Sequence, residues 1–182
     1  IHPPNINSSG VDFTIAKDAS QNLGIRFGLA AIKHLGQSGV NTLIESRDKT
    51  GIYKSIGDFT RTANLTGLNR RSLESLIKAG ALDCLGNRGS ILNSIDSILS
   101  QSQMQRRMKT TGQTNLFEGH GNQDTMPEID IQLDSSDIHI GEKLAWEREL
   151  LGVTLTPSPL SNLIGRNYPD HITTLPDITK EM

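Results

Sequence analysis

The sequence holds one cysteine, Cys84, in the context ALDCLG. A lone thiol rules out a disulfide within the chain and fits a reduced compartment, with Cys84 expected as a small buried hydrophobe. No apolar run approaches the length needed to cross a bilayer, and the N-terminus lacks a signal-peptide pattern. A soluble, cytoplasmic chain with no membrane partner is expected. Because the first residue is Ile1 and not Met, the chain reads as a piece of a longer polypeptide. The histidines, at positions 2, 34, 120, 139 and 171, show no metal-ligand spacing, and no cysteine pair could complete a zinc site. Acidic residues are scattered through linkers and helix faces, whereas two-metal phosphoryl transfer needs a tight carboxylate group on a rigid sheet. No catalytic residue, metal ligand or cofactor is therefore expected. GHGN at 119–122 reads as linker and not as a phosphate loop.

A strong net charge is also lacking, since the 182 residues carry only −2. Taken alone, that value argues against a nucleic-acid partner, but its distribution argues otherwise. Residues 26–109 hold 13 Lys/Arg against 6 Asp/Glu, while residues 110–182 hold 4 against 12. The average conceals a basic half and an acidic half.

Four regions are expected, and the fold class is mainly α. Residues 1–25, HPPNINSSG followed by VDFTI, read as an extended arm with one short strand. Residues 26–108 read as successive helices. Ser55 with Asp58 resembles a capping box ahead of Ile56 and Phe59; Asn69 caps the next helix, with Leu68 and Leu73 as a staple and Gly80 as its stop. Ser90 is expected to open a long amphipathic helix bearing Ile91, Leu92, Ile95, Ile98 and Leu99. Residues 109–138 are too polar to fold alone and read as a mobile linker, except for the adjacent pair Leu116 and Phe117. Residues 139–182 begin with a helix bearing Trp146, Leu150 and Leu151 and end as a loosely held, mixed extension.

Within FGLAAIKHLGQSGVNTLIESR, Gly36 and Gly39 interrupt a helical pattern at about 1 kcal/mol each relative to alanine. A helix ended at Gly36 and restarted after Gln37 and Ser38 would present unpaired N–H groups and a positive dipole end, with Lys33 and Ser38 near by. That is a phosphate site; the plainer alternative is an αα-hairpin whose glycines only permit a tight turn. In NRRSLESLIKAGALD, Arg70 and Arg71 stand in a first turn, where cations oppose the dipole and something anionic should compensate. Two solvated arginines are the alternative there. Two helix starts in a basic half-chain favour a paired phosphate clamp.

FGLAAIKHLG with its following helix resembles a helix-hairpin-helix element. The series PPNINSSGVDFTI, IRFGLAAIKHLG, LESLIKAGALD, GQTNLF and ERELLGVTLTPSPL resembles, in order and spacing, the alpha-subunit family of bacterial DNA polymerase III. The resemblance implies a tandem helix-hairpin-helix domain at 26–108, gripping product duplex through phosphates with little sequence preference. The implied contacts are Lys33, His34, Leu35, Gly36, Gln37, Ser38, Gly39, Asn69, Arg70 and Arg71. It further implies a sliding-clamp peptide, Gln113, Thr114, Asn115, Leu116 and Phe117, other replisome subunits as partners through the parent chain, and an oligonucleotide-binding fold beyond 139–182. The parent would be a magnesium-dependent nucleotidyltransferase whose catalytic aspartates lie outside this segment, which should itself be inactive. Two positions depart from the pattern: His34 stands where such hairpins usually have glycine, and Pro157-Ser158 replaces the usual Gly-His. The competing readings are a purely structural helical spacer and a helix-hairpin-helix module of a repair nuclease or ligase.

Overall fold

The apolar positions that repeat at helical spacing between Phe27 and Ile98 close a single core, with Leu29, Val40, Phe59, Leu76, Ile77 and Ile91 at its centre. The computed structural model describes residues 1–17, 21–111 and 131–157, the side chains of 108–111 excepted. The chain is mainly helical. A two-stranded antiparallel hairpin, β1 (Thr14–Lys17) and β2 (Leu23–Arg26), precedes a 3-10 turn at Leu29–Ala31. Among the described residues six helices follow: α1 (Gln37–Thr50), α2 (Ile56–Thr62), α3 (Arg70–Lys78), α4 (Arg88–Asn93), α5 (Ile95–Thr111) and α6 (Ile140–Leu151). α3 packs against α4, α5 and α6, and α5 covers α2. None of the described helices is long and apolar enough to cross a membrane.

Capping chemistry sets the starts of α2 and α3. Ser55 Oγ accepts from the Asp58 N–H at 3.1 Å, and Asn69 Oδ1 accepts from the Ser72 N–H at 2.9 Å, satisfying donors that a helix start leaves open. The Asp58 carboxylate reaches the N–H of Lys54, one residue before the partner a capping box would use. α3 stops at Gly80, whose φ of +84° lets the Ala81 N–H turn back to the Leu76 carbonyl at 3.0 Å.

Several sequence expectations fail for identifiable reasons. FGLAAIKHLG forms no full helix. The N–H groups of Leu29 and Ala30 donate to the Gly10 and Val11 carbonyls, and Ile32 is extended, so that both Leu29 and Ile32 enter the core. The long helix expected from Ser90 begins at Arg88 and is broken at Ser94. There the Ser94 N–H is shared between the Ser90 and Ile91 carbonyls, and Ser94 Oγ donates back to Ser90. Ser90 Oγ caps nothing; it donates to the Asp134 and Ser136 carbonyls. Residues 131–138, expected in the linker, therefore lie on α4, where Ile131 and Leu133 pack against the core. The Asn93 amide and the Ser136 N–H and hydroxyl hold the Asp134 carboxyl down at about 2. Cys84 is exposed, because Ala81 and Leu82 take the core places in its turn.

Within the first ten residues, Pro4, Ile6 and Ser9 are embedded in the body of the fold. Ile6 is buried with its N–H on the Ala81 carbonyl, and Arg47 Nη1 donates to the Ile6 and Ser9 carbonyls at 3.1 and 2.7 Å. The Asn7 amide and the Tyr53 backbone exchange two hydrogen bonds, both 2.8 Å.

Among the described residues, an ion pair lies inside. Arg88, 5% exposed, donates to Glu147 at 2.9 Å, to Asp83 at 2.8 Å and to the Lys78 carbonyl at 3.1 Å. Glu147 also accepts from the Leu155 and Thr156 N–H groups and the Thr156 hydroxyl. Burial alone pushes the Glu147 carboxyl up, but the Thr156, Leu155 and Arg88 donors outweigh it and leave the group below its ordinary value. A depressed carboxyl contributes stability that is full above its unfolded value of 4.5 and is lost as pH falls through the lower folded value. Glu147→Gln should lower the unfolding free energy by about 3 kcal/mol at about pH 7 and flatten the acid side of the stability profile, as urea melts across pH would measure.

Candidate nucleic-acid interface

The loop that follows the 3-10 turn is anchored at Lys33, whose N–H donates to the Leu150 carbonyl of α6 at 3.1 Å. His34 then adopts φ +68°, a left-handed conformation that costs a residue with a Cβ about 1–2 kcal/mol. The glycine missing from this position in the sequence is thus missing where the backbone would favour one. Gly36 is the extended N-cap of α1 and offers no side-chain acceptor, so the N–H groups of Gln37 and Ser38 take no partner among the described residues. They point outward at the positive end of a 14-residue helix.

The start of α3 lies beside this loop. Ser72 Oγ donates to the His34 carbonyl at 2.8 Å, and Arg71 Nη2 stands 3.1 Å from His34 Nε2. The turn before α3 passes so close to α1 that a Cβ at Gly39 would lie 2.9 Å from both the Gly67 carbonyl oxygen and Leu68 Cδ2. The two glycines of the interrupted run thus do different things. Gly39 lets two backbones touch, while Gly36 has open space where a Cβ would stand.

Of the residues singled out in the sequence, Lys33, His34, Gly36, Gln37, Ser38 and Arg71 are exposed around these two starts. Leu35 is half-buried against the core, Gly39 is buried at the Gly67 contact, and Asn69 is engaged as a cap. Arg70 is already compensated: it contacts Asp96 and donates to Glu74 at 2.9 Å, and these two carboxylates raise its guanidinium further above the ordinary value. The anion that two arginines in a first turn seemed to require is in part the protein's own. Gly67, at φ +84°, and Ser72 went unnoticed in the sequence; TGLN ahead of NRRS is the turn signal that could have found the glycine. Gln113, Thr114, Asn115, Leu116 and Phe117 lie outside the described residues. Among the described residues, no three His, Cys, Asp or Glu side chains cluster to hold a metal. A polar cleft of about 350 Å3 lies elsewhere, between α1, α2 and α5, lined in part by Lys49, Arg61 and Gln105.

Residues 1–91 match the model of the helix-hairpin-helix motif. The chain belongs to the helix-hairpin-helix family. The chain is also similar to a segment of DNA polymerase III subunit alpha from several bacteria. It is 34% identical to that of Deinococcus radiodurans over 158 residues, 87% of this chain and 12% of the relative. Identity is 32% to that of Thermus aquaticus over the same shares, and 35% to that of Mycobacterium leprae over 88% of this chain and 13% of the relative. The chain thus spans about an eighth of the length of these curated relatives.

The contact of Gly39 with Gly67 gives a paired test of the glycines. Gly39→Ala should destabilise the chain by about 1–3 kcal/mol through overpacking, despite alanine's better helix propensity. Gly36→Ala, at φ −78° and with space around it, should change stability by less than about 1 kcal/mol. Thermal or denaturant unfolding of the two variants reads the difference.

Proposed function

We propose that this chain is a noncatalytic duplex-DNA-binding segment of a bacterial replicative polymerase, contacting phosphates without regard to sequence through the starts of α1 and α3. The observation that carries this reading is the convergence of two helix N-termini on one exposed surface. Open N–H groups at Gln37 and Ser38 lie on one side and Arg71 with His34 on the other. Backbone amides at a positive dipole end suit a phosphate, and neither they nor a lone arginine can distinguish bases. The similarity to polymerase III alpha subunits supplies the context. The parent's magnesium-dependent chemistry and its replisome partners belong to the same reading, as does a cytoplasmic location.

If about four phosphates are engaged, log affinity should fall with log salt at a slope near −3.6, a loss of roughly a hundredfold between about 50 and 200 mM. Arg71→Ala should flatten the slope by about 0.9, whereas Arg70→Ala, whose charge is held by Asp96 and Glu74, should flatten it by less than about half as much. Fluorescence anisotropy with duplexes of unrelated sequence measures both. Salt-independent or absent binding would leave a structural spacer between polymerase domains as the better reading.

The proposal extends to a sliding clamp, through QTNLF at 113–117. Gln113 would hydrogen-bond at a pocket rim, with Thr114 and Asn115 spanning to Leu116 and Phe117 on an apolar floor, each burial contributing on the order of 1.5–3 kcal/mol. A tether to a ring around the same duplex raises the effective concentration of a weak phosphate binder. A peptide of residues 111–119 should bind a bacterial clamp weakly, and Leu116→Ala with Phe117→Ala should abolish that binding while leaving duplex binding by the whole chain intact. Calorimetry with wild-type and doubly substituted peptides checks the first part; anisotropy of the doubly substituted chain on duplex checks the second.

A further inference from the structure

The β1–β2 hairpin exposes an apolar face that nothing in the described residues covers. Cross-strand pairing of Ile15 with Ile25 places these side chains together, the two-residue period brings Leu23 to the same side, and Phe13, just ahead of β1, rests edge-on against Phe27. Ile15 is 80% exposed, Leu23 73%, and Phe13 and Ile25 52% each. The opposite face, by contrast, is covered at Gly24, where the His2 imidazole lies so close that no Cβ would fit.

The outer edge of β2 is partly paired already. The His2 N–H donates to the Ile25 carbonyl at 2.8 Å and the Phe27 N–H donates to the His2 carbonyl at 3.1 Å, a parallel bridge between His2 and Arg26. This geometry fixes the next positions. Ile1 falls on the same side as Ile25, adding a further apolar side chain, 75% exposed, to the face. One step further along the edge, the Ile25 N–H and the Leu23 carbonyl point outward, because neighbouring groups on a strand alternate in direction and Arg26 faces β1. His2 Nε2 is buried at the same edge without a hydrogen-bond partner.

We propose that this hairpin is a docking surface for the polypeptide that leads into Ile1 in full-length members of the family. That polypeptide continues the parallel pairing along β2, taking the Ile25 N–H and the Leu23 carbonyl, and lays apolar side chains over Ile1, Ile15, Leu23 and Ile25. Three observations fix the occupant. The relatives are about seven times as long as this chain, so polypeptide outside the matched segment exists in them to cover the face. The chain direction at His2 delivers that polypeptide to this edge and no other. An open strand edge beside an apolar face is a template that proteins keep covered, and added strands gain both main-chain hydrogen bonds and side-chain burial. The inference rests on family membership and on the hairpin, not on DNA binding, so either can fail without the other.

Hydrogen exchange on the full-length polymerase polypeptide tests it. The Ile25 amide should exchange at least about a hundredfold more slowly than an unpaired peptide amide, and Ile15→Asp should restore at least about tenfold of that rate. The Arg26 amide, which faces β1, should stay protected in that variant and so report that the hairpin itself is intact. Ile52→Asp, at an exposed apolar residue remote from the hairpin in sequence, should leave the Ile25 amide unchanged. An Ile25 amide exchanging at the peptide rate in the wild-type polypeptide overturns the proposal. So does protection indifferent to Ile15→Asp with Arg26 still protected, and so does protection that appears only as protein concentration rises, which would assign the face to a second copy.

Discussion

One buried charge pair ties α6 and the described residues that follow it, 152–157, to the helical core. Arg88 reaches the end of α3 through the Lys78 carbonyl, its own turn through Asp83, and α6 through Glu147. Glu147 in turn gathers the backbone of Leu155 and Thr156. Removing two charges from water costs several kcal/mol per ion, and the cost is offset here because each guanidinium nitrogen of Arg88 and each carboxylate oxygen of Glu147 has a hydrogen-bond partner. The arrangement also constrains Gly80: a Cβ there would meet the Arg88 guanidinium, so the residue that turns α3 off must be small for two reasons at once. Through the Lys33 N–H on the Leu150 carbonyl, the same helix α6 steadies the loop that starts α1.

Local chemistry was legible in the sequence and long-range chemistry was not. Ser55 and Asn69 cap the helices they were expected to cap, because capping depends on residues three apart. Gly80 ends α3, and α6 carries Leu150 inward with Trp146 under the Lys78 ammonium, as its spacing implies. Several of the misses involve partners distant in the chain. FGLAAIKHLG has a helical period, but Gly10 and Val11 supply its first hydrogen bonds and its apolar residues reach the core from an extended backbone. Ser90 looks like an N-cap until Asp134 and Ser136, more than forty residues later, claim its hydroxyl. Nothing within a helical turn of Arg88 or Glu147 in the sequence announces their burial.

The candidate interface was half legible for a related reason. The two helix starts follow from glycine, asparagine and arginine positions, but that they lie side by side follows from Gly67, Ser72 and the His34 carbonyl. Likewise Arg70 and Arg71 are indistinguishable as neighbours in sequence. Only the fold separates them, by giving Arg70 to Asp96 and Glu74 and turning Arg71 toward His34.

The contact of Gly39 with Gly67 bears on how this segment can evolve. A surface whose spacing is set by backbone touching backbone, and whose donors are main-chain amides, stores its geometry in atoms that every amino acid shares. Side chains around it can drift widely while the distance between the two helix starts stays put. Chains that agree at only about a third of their positions, as this one does with its relatives, can then keep one spacing between these helix starts. The vulnerability is concentrated instead in two residues that have no side chain to exchange.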